Sequence, residues 1–290
     1  TAVGFSSLKD LTTGTRNVAM GDSALENNTT ANDNTAFGSA ALYLNTTGAS
    51  NVAVGSGALD ANTTGGANTS IGKDSLGANT TGISNTAVGS NALEVNTTAS
   101  NNTSVGKNSL RANTTGTYNT AVGMSVLAAN TTGNYNVAVG GVALDANTTG
   151  STNTAIGTSA LGANTTGSDN TALGSDCLSG NTTGANNTAV GKYALRVNTT
   201  GEYNVAVGAT AGDALTTGSL NTALGYNTLG VATTAGNNTA VGGQALAVTT
   251  SGSGNTAVGM NCMVANTTGT NNTAVGMTAG DGITSGDFNV

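Results

Sequence analysis

The sequence predicts an all-β chain: a single-chain β-solenoid, or β-roll, of 17 coils with 17 residues in each and short parallel strands. Three observations predict it. Every multiple of 17 is Asn, from Asn17, Asn34, Asn51, Asn68 and Asn85 without a slip to Asn272 and Asn289. With that Asn as position 0, position 4 is always Gly (Gly4, Gly21, Gly38 to Gly276) and position 12 always Thr (Thr12, Thr29, Thr46 to Thr284). The composition, 44 Gly, no Pro, 3% aromatic and 7% charged, is too poor in large side chains for a thick core and too poor in charge for disorder by repulsion. A fixed period of this length marks a stacked repeat, which overrides the one or two globular domains that 290 residues would otherwise suggest.

Within the unit, positions 0 to 4 read Asn, Thr or Val, Ala or Ser, a large apolar residue, then Gly. That is a short strand with side chains alternating between two faces, ended by Gly. Position 3 is always large and apolar (Val3, Met20, Phe37, Ile71, Leu173), so its face is expected to look inward. Position 2 is then expected to point outward. It is Ala in fifteen units and Ser in two (Ser70, Ser104), too uniform for a solvated site, so something is expected to pack against it. Positions 5, 6 and 9 vary freely. Position 8 is Leu in fourteen units and Met263 in another. In the two exceptions, Gly212 and Gly280, an apolar residue appears three positions on, as Leu215 and Ile283, where Asn is usual. Positions 8 and 11 are therefore both expected to reach the interior, although Leu8 and Leu11 occur together in the first unit. Thr-Thr-Gly at positions 12 to 14 forms a turn.

Helix is excluded beyond one turn by Gly at positions 4 and 14 with Thr-Thr between them. At one coil per about 4.8 Å the 17 coils predict a segment roughly 80 Å long, one continuous repeat domain over 1–290. The sequence begins and ends at position 1 of a unit, so it is expected to be part of a longer fibre or chain. A thin coil with so few large side chains is expected to bury a second face against copies of itself, most simply as a parallel homotrimer. The constant Asn17, Asn34, Asn51, Asn68 and Asn85, and Thr12, Thr29 and Thr46, are assigned to ladders that stack from coil to coil and satisfy backbone groups at the corners.

Units such as Asn51-Val-Ala-Val-Gly-Ser-Gly-Ala-Leu-Asp-Ala-Asn-Thr-Thr-Gly65 resemble the repeats of phage tail-fibre proteins and related bacterial surface proteins. Their Asn-[Thr/Val]-Ala-[Val/Ile]-Gly portion is similar to the head repeats of trimeric autotransporter adhesins. The resemblance spans the chain from Thr1 to Val290, in a unit longer than that of the adhesin heads. It implies homotrimeric β-rolls in an extracellular fibre, on a virion tail or a cell surface, that attaches to a surface receptor or glycan. Two alternatives stand beside that expectation: a head-to-tail self-assembling extracellular filament, and an ice-binding β-solenoid.

Little in the sequence points to reaction chemistry. There is no His, so no His base, triad or metal ligand. Asp22, Glu26, Asp60, Asp145 and Glu202 fall on variable positions, and no calcium-binding nonapeptide or phosphate loop occurs. No catalytic residue, metal or cofactor is assigned, and an enzyme is not expected. Asp213 and Asp281 are read as turn residues of the two deviant units. A net charge of −7 without charge blocks argues against nucleic acid, and no apolar run is long enough for a membrane helix. Cys177 and Cys262, both at position 7, are five whole units apart and are expected to be small buried thiols that do not pair.

Three surface readings remain. Position-12 Thr could form the outward row of an ice-binding face, with position 13 expected to turn the other way. Asn-Thr-Thr at positions 11 to 13 in twelve units, Asn28 to Asn266, is a glycosylation acceptor pattern or, as preferred here, corner chemistry that is never modified. Tyr118 and Tyr135, both at position 16 of adjacent units, form a candidate surface aromatic patch for carbohydrate, or an ordinary solvated stack.

Overall fold

The computed structural model describes all 290 residues, and contacts group them into two compact units, Thr1–Thr149 and Gly150–Val290. Each is a parallel β-solenoid. The first carries nine strands, from β1 (Ala2–Val3) and β2 (Val18–Met20) to β9 (Val137–Val139). The second carries eight, from β10 (Thr154–Ile156) to β17 (Thr273–Val275), and neither contains a helix. Neighbouring strands within each unit are parallel and paired at an offset of one repeat, as in Val52↔Thr69 and Val54↔Ile71, or Thr188↔Val205 and Val190↔Val207. The sequence period is therefore the length of one coil.

Strand orientation is the reverse of the sequence expectation. Position 2 points inward: Ala19, Ala36, Ala53 and their equivalents as far as Ala257 are buried, and only Ala2 at the open first coil is exposed. Position 3 points out, leaving Phe37 51% and Ile71 39% exposed. The reason is the width of the coil. Its interior already holds the position-8 Leu, which is fully buried from Leu25 to Leu195, and a position-7 residue close across from position 2. In one coil both close positions are Ser, and the Ser70 and Ser75 hydroxyls lie 2.5 Å apart. Position 2 carries only a methyl or hydroxymethyl in every coil, even where position 7 across from it is Val126 or Thr228. The tight packing inferred at position 2 is real, but the chain packs against itself there.

Two backbone features fix the shape of the coil. Gly at position 4 has φ near +135° (Gly55, Gly72), and a Cβ at Gly55 would sit 2.6 Å from the Gly72 carbonyl oxygen of the next coil. Any side chain there breaks the stacking. Position 8 is also left-handed, with Leu25 and Leu127 at φ +51° and +50°. Leucine pays for that conformation in strain of about 1–2 kcal/mol, and complete burial holds it in place. Where Gly212 takes position 8 at φ +58° the strain disappears, and Leu215, fully buried, supplies the missing apolar volume. A Cβ on Gly212 would meet Leu215 Cδ1 at 3.0 Å, so the two positions share one interior space.

Candidate functional site

The interior is built from two columns of buried amides. At position 0, the Asn51 side-chain oxygen accepts the backbone N–H of Asn68 (3.0 Å), and Asn51 Nδ2 donates to the Gly65 carbonyl (2.9 Å). Asn34 donates its backbone N–H to Asn17 Oδ1, Asn51 to Asn34 Oδ1 and Asn85 to Asn68 Oδ1, each within 3.0 Å. Asn34, Asn51, Asn68 and Asn85 are fully buried, and Asn17 nearly so. At position 11, Asn62 Nδ2 donates to Asn45 Oδ1 of the preceding coil (2.8 Å) and also to the Gly65 carbonyl (2.9 Å). Both columns thus close on the same position-14 carbonyl, which ties the turn to the strand. The threonines cover the corner from outside: Thr12 Oγ1 donates to the Thr29 carbonyl, Thr29 to Thr46 and Thr46 to Thr63, at 2.8, 3.3 and 3.0 Å.

Position 11 is where sequence reasoning fell short. Asn-Thr-Thr reads as turn chemistry, yet its Asn forms the more direct amide-to-amide ladder, through Asn45, Asn62, Asn79, Asn96, Asn113 and Asn130 in the first unit. The ladder explains the lone buried polar side-chain atom without a partner, Asn198 Oδ1. Its donor would be position 11 of the next coil, and that residue is Leu215.

The outer face has a different character. Positions 1 and 3 hold only Thr, Val, Ile, Leu, Met or Phe in every coil, with no charged residue. In the first unit this leaves Val18, Met20, Phe37 and Ile71 exposed, with Phe5 and Met124 at position 5 beside them. In the second it leaves Ile156, Val205, Val207 and Val275, flanked by Tyr226, Met260 and Met277. Nine strands at about 4.8 Å by three residues of about 3.3 Å make this face roughly 400 Å² in the first unit.

No protein-family profile, no curated protein and no solved structure matches the chain.

The remaining polar features are dispersed. Charged residues at position 9 pair with the coil above or below, Lys9 with Glu26 (3.3 Å), Arg111 with Glu94 (2.6 Å) and Arg196 with Asp213 (3.7 Å). Such exposed pairs contribute about 0–1 kcal/mol each. A shallow cleft of about 450 Å³ lies in the first unit over Ala112, Ala128 and Ala129, between Arg111 and Asp145. Burial pushes the Asp145 carboxyl above its ordinary pKa, as it does Asp60 and Asp213, and no second carboxylate lines the cleft to make an acid–base pair. No group of three His, Cys, Asp or Glu side chains is placed to hold a metal ion. No helix is long and apolar enough to cross a membrane. Cys177 and Cys262 are free and buried, each donating its thiol to a carbonyl of the next coil, Ala189 or Ala274, at 3.2 Å. Burial pushes the Cys177 thiol up to about 12, so at neutral pH it is protonated and inert.

Tyr118 and Tyr135 do come together, with ring centroids 5.1 Å apart and planes 4° from parallel. That geometry bears on the carbohydrate reading. A sugar platform offers an open ring face, and in this stack each ring has one of its two faces turned to the other. Positions 12 and 13 also depart from expectation. Thr46 is half-buried and Thr47 exposed, because the chain bends at both residues and does not alternate as a strand would. Position 13 is Thr or Ser in all coils and exposed in all, so two hydroxyl-bearing rows share this edge.

Proposed function

We propose that the chain is an extracellular structural and adhesive fibre segment that works by shape: a stiff repeat segment that carries or forms a surface-attachment device on a virion tail or a cell surface. The observation that supports this reading is the uncharged outer strand face, with Thr or Val at position 1 and a large apolar residue at position 3 in every coil, a uniformity beyond what strand preference alone requires. Its occupant is a further copy of the same chain. Parallel copies present the same coil spacing to one another, so apolar side chains of one interleave with those of the next over the whole length of each unit. Three copies around an axis is the arrangement that the repeat resemblance implies. Receptor or glycan binding then falls to the variable corners, positions 5, 6, 9, 15 and 16. No catalytic step, metal or cofactor is part of this reading.

Sedimentation equilibrium on the purified chain tests it. The expected molar mass is three times the 27.7 kDa of one chain, reverting to 27.7 kDa when Val88→Glu and Val122→Glu are combined. A wild-type chain that stays monomeric at micromolar concentration removes the proposal.

One observation favours a second reading, ice binding: the exposed position-13 hydroxyls recur once per coil beside the position-12 row. Thermal hysteresis decides it, and a solution of the folded protein that freezes as buffer does rules it out.

A further inference from the structure

Asn-x-Thr is the acceptor pattern for N-linked glycans, and twelve coils carry it as Asn-Thr-Thr at positions 11 to 13. In the folded chain the amides inside the ladder have no spare proton, and Asn28 and Asn266, whose preceding coils lack the Asn, still donate one to the position-14 carbonyl. Asn62 Nδ2 gives its two to Asn45 Oδ1 and the Gly65 carbonyl (2.8 and 2.9 Å). Asn113 and Asn181 do the same toward Asn96 and Gly116, and toward Asn164 and Gly184. All are fully buried. Glycan transfer forms a bond from Nδ2 to the anomeric carbon of a lipid-pyrophosphate-linked oligosaccharide. The bond from that carbon to the pyrophosphate oxygen breaks, and the amide loses one proton. The product has lost a rung of the ladder and carries a sugar where there is no space: even a Cβ at Gly65 would come within 2.5 Å of Asn62 Oδ1.

We infer that folding and N-glycosylation of this chain exclude each other at the twelve position-11 sites. The chain is therefore made and folded where no Asn-x-Thr glycosyl transfer acts before folding, whatever surface it finally occupies. A second set of acceptors behaves differently. Asn101, Asn186, Asn237 and Asn271 begin Asn-Asn-Thr at position 16 and are all exposed, at a left-handed corner with φ between +55° and +61°. A glycan there projects into solvent and leaves the coil intact. The inference does not rest on the fibre reading, because association is measured on unglycosylated protein and the two fail separately.

The test compares the chain made in a bacterial cytoplasm with the chain secreted from a eukaryotic cell, with and without an inhibitor of lipid-linked oligosaccharide synthesis. Intact mass, glycan-site mapping and thermal melting by circular dichroism are read on each. The cytoplasmic chain should weigh 27.7 kDa and melt cooperatively. The secreted chain should be occupied at position 11 and lose folded population by roughly tenfold or more per occupied site, since each costs at least one buried hydrogen bond. The inhibitor should restore the melt. A secreted chain glycosylated at position 11 with an unchanged melt would overturn the inference, whereas one that folds with those sites empty shows the same exclusion from the folded side and supports it. A control variant changes the twelve position-13 threonines to Ala, with Asn27→Gln, Ser70→Ala and Ser104→Ala to remove the other acceptors off the corner. Secreted, it should carry glycans only at the four corner residues and keep the melt of its own cytoplasmic form. Losing that melt would show that glycans disrupt the chain without regard to position, and would also overturn the inference.

Discussion

The coil containing Gly212 and Leu215 is a natural solution to one packing problem, and transplanting it tests how the interior is built. Leu127 and Asn130 are the equivalent residues of a standard coil in the first unit. Leu127→Gly removes a fully buried leucine, a change costing about 3–5 kcal/mol once the cavity is counted, offset by about 1 kcal/mol of relieved left-handed strain at φ +50°. Asn130→Leu places a second leucine in occupied space, at about 1–3 kcal/mol. It also removes the donor to Asn113 Oδ1 (2.9 Å) and the acceptor for Asn147 Nδ2 (2.8 Å), at roughly 1–3 kcal/mol for each buried group left short. The Gly133 carbonyl keeps its bond from Asn119 Nδ2 (2.8 Å), so it adds nothing to the cost. In the double variant the new leucine fills the space the old one left, and only the broken ladder remains. The double variant should therefore be more stable than the sum of the singles by about 3 kcal/mol. Urea unfolding of the four proteins, compared at equal m-value, measures that coupling. Additive singles would mean that the two positions do not share a space, and the account of the deviant coils would be wrong.

Four further outcomes follow from the same structure. Ala121→Val, inward, should cost about 1–3 kcal/mol, while Val122→Thr, outward, should change the monomer's urea midpoint by less than about 0.5 kcal/mol; equal effects would restore the opposite strand orientation. The thiols of Cys177 and Cys262 should resist a thiol reagent in native buffer at pH 8 and react together only on unfolding, so labelling at an exposed-thiol rate would contradict their burial. For Asp145, burial raises the folded pKa above the unfolded value, so the carboxylate is a liability above the folded pKa that is relieved as pH falls below the unfolded one. Asp145→Asn should raise Tm at pH 7, with the gain fading by pH 3. Asp33 has the opposite sign: its hydrogen bond from Arg16 lowers the folded pKa, so Asp33→Asn should lower Tm slightly at pH 7 and leave it unchanged well below pH 3.

The repeat made coil length, parallel pairing and the exchange between positions 8 and 11 legible, because seventeen copies of one unit act as an internal set of substitutions. Leu215 beside Gly212 reports a shared interior before any coordinates exist. The strand faces were not legible, since both are apolar and the usual rule puts the larger side chain inside. That rule assumes a core wide enough to hold Val or Phe. Here the leucine of position 8 and the amides of positions 0 and 11 fill a narrow coil, and position 2 holds nothing larger than Ala or Ser. The leucine conformation was equally hidden, because a left-handed leucine contradicts local preference and is imposed by closing the coil. Nor did Asn62 or Asn113 announce a ladder, because Asn before Thr-Thr is ordinary at an exposed turn.

The uniformity of the units has two physical origins, and separating them is what gives the sequence a functional reading. Asn at positions 0 and 11, Ala at position 2, Gly at position 4 and Leu at position 8 are each held by the coil itself: a missing rung, a clash with the next coil or an empty interior follows from changing any of them. Positions 5, 6, 9, 15 and 16 lie mostly at the surface and vary in side chain, although the backbone is left-handed at positions 6 and 16. Positions 1 and 3 fit neither pattern. They point away from the interior, a Lys or Glu there would cost the isolated coil almost nothing, and no coil has one. Strand preference for β-branched residues accounts for part of that restriction; under the proposal above the rest comes from what the chain touches, a face of the same coil spacing on another copy. If charges placed at Val88 and Val122 change neither molar mass nor any binding of the chain, that step fails and the rest of the restriction is left without a cause.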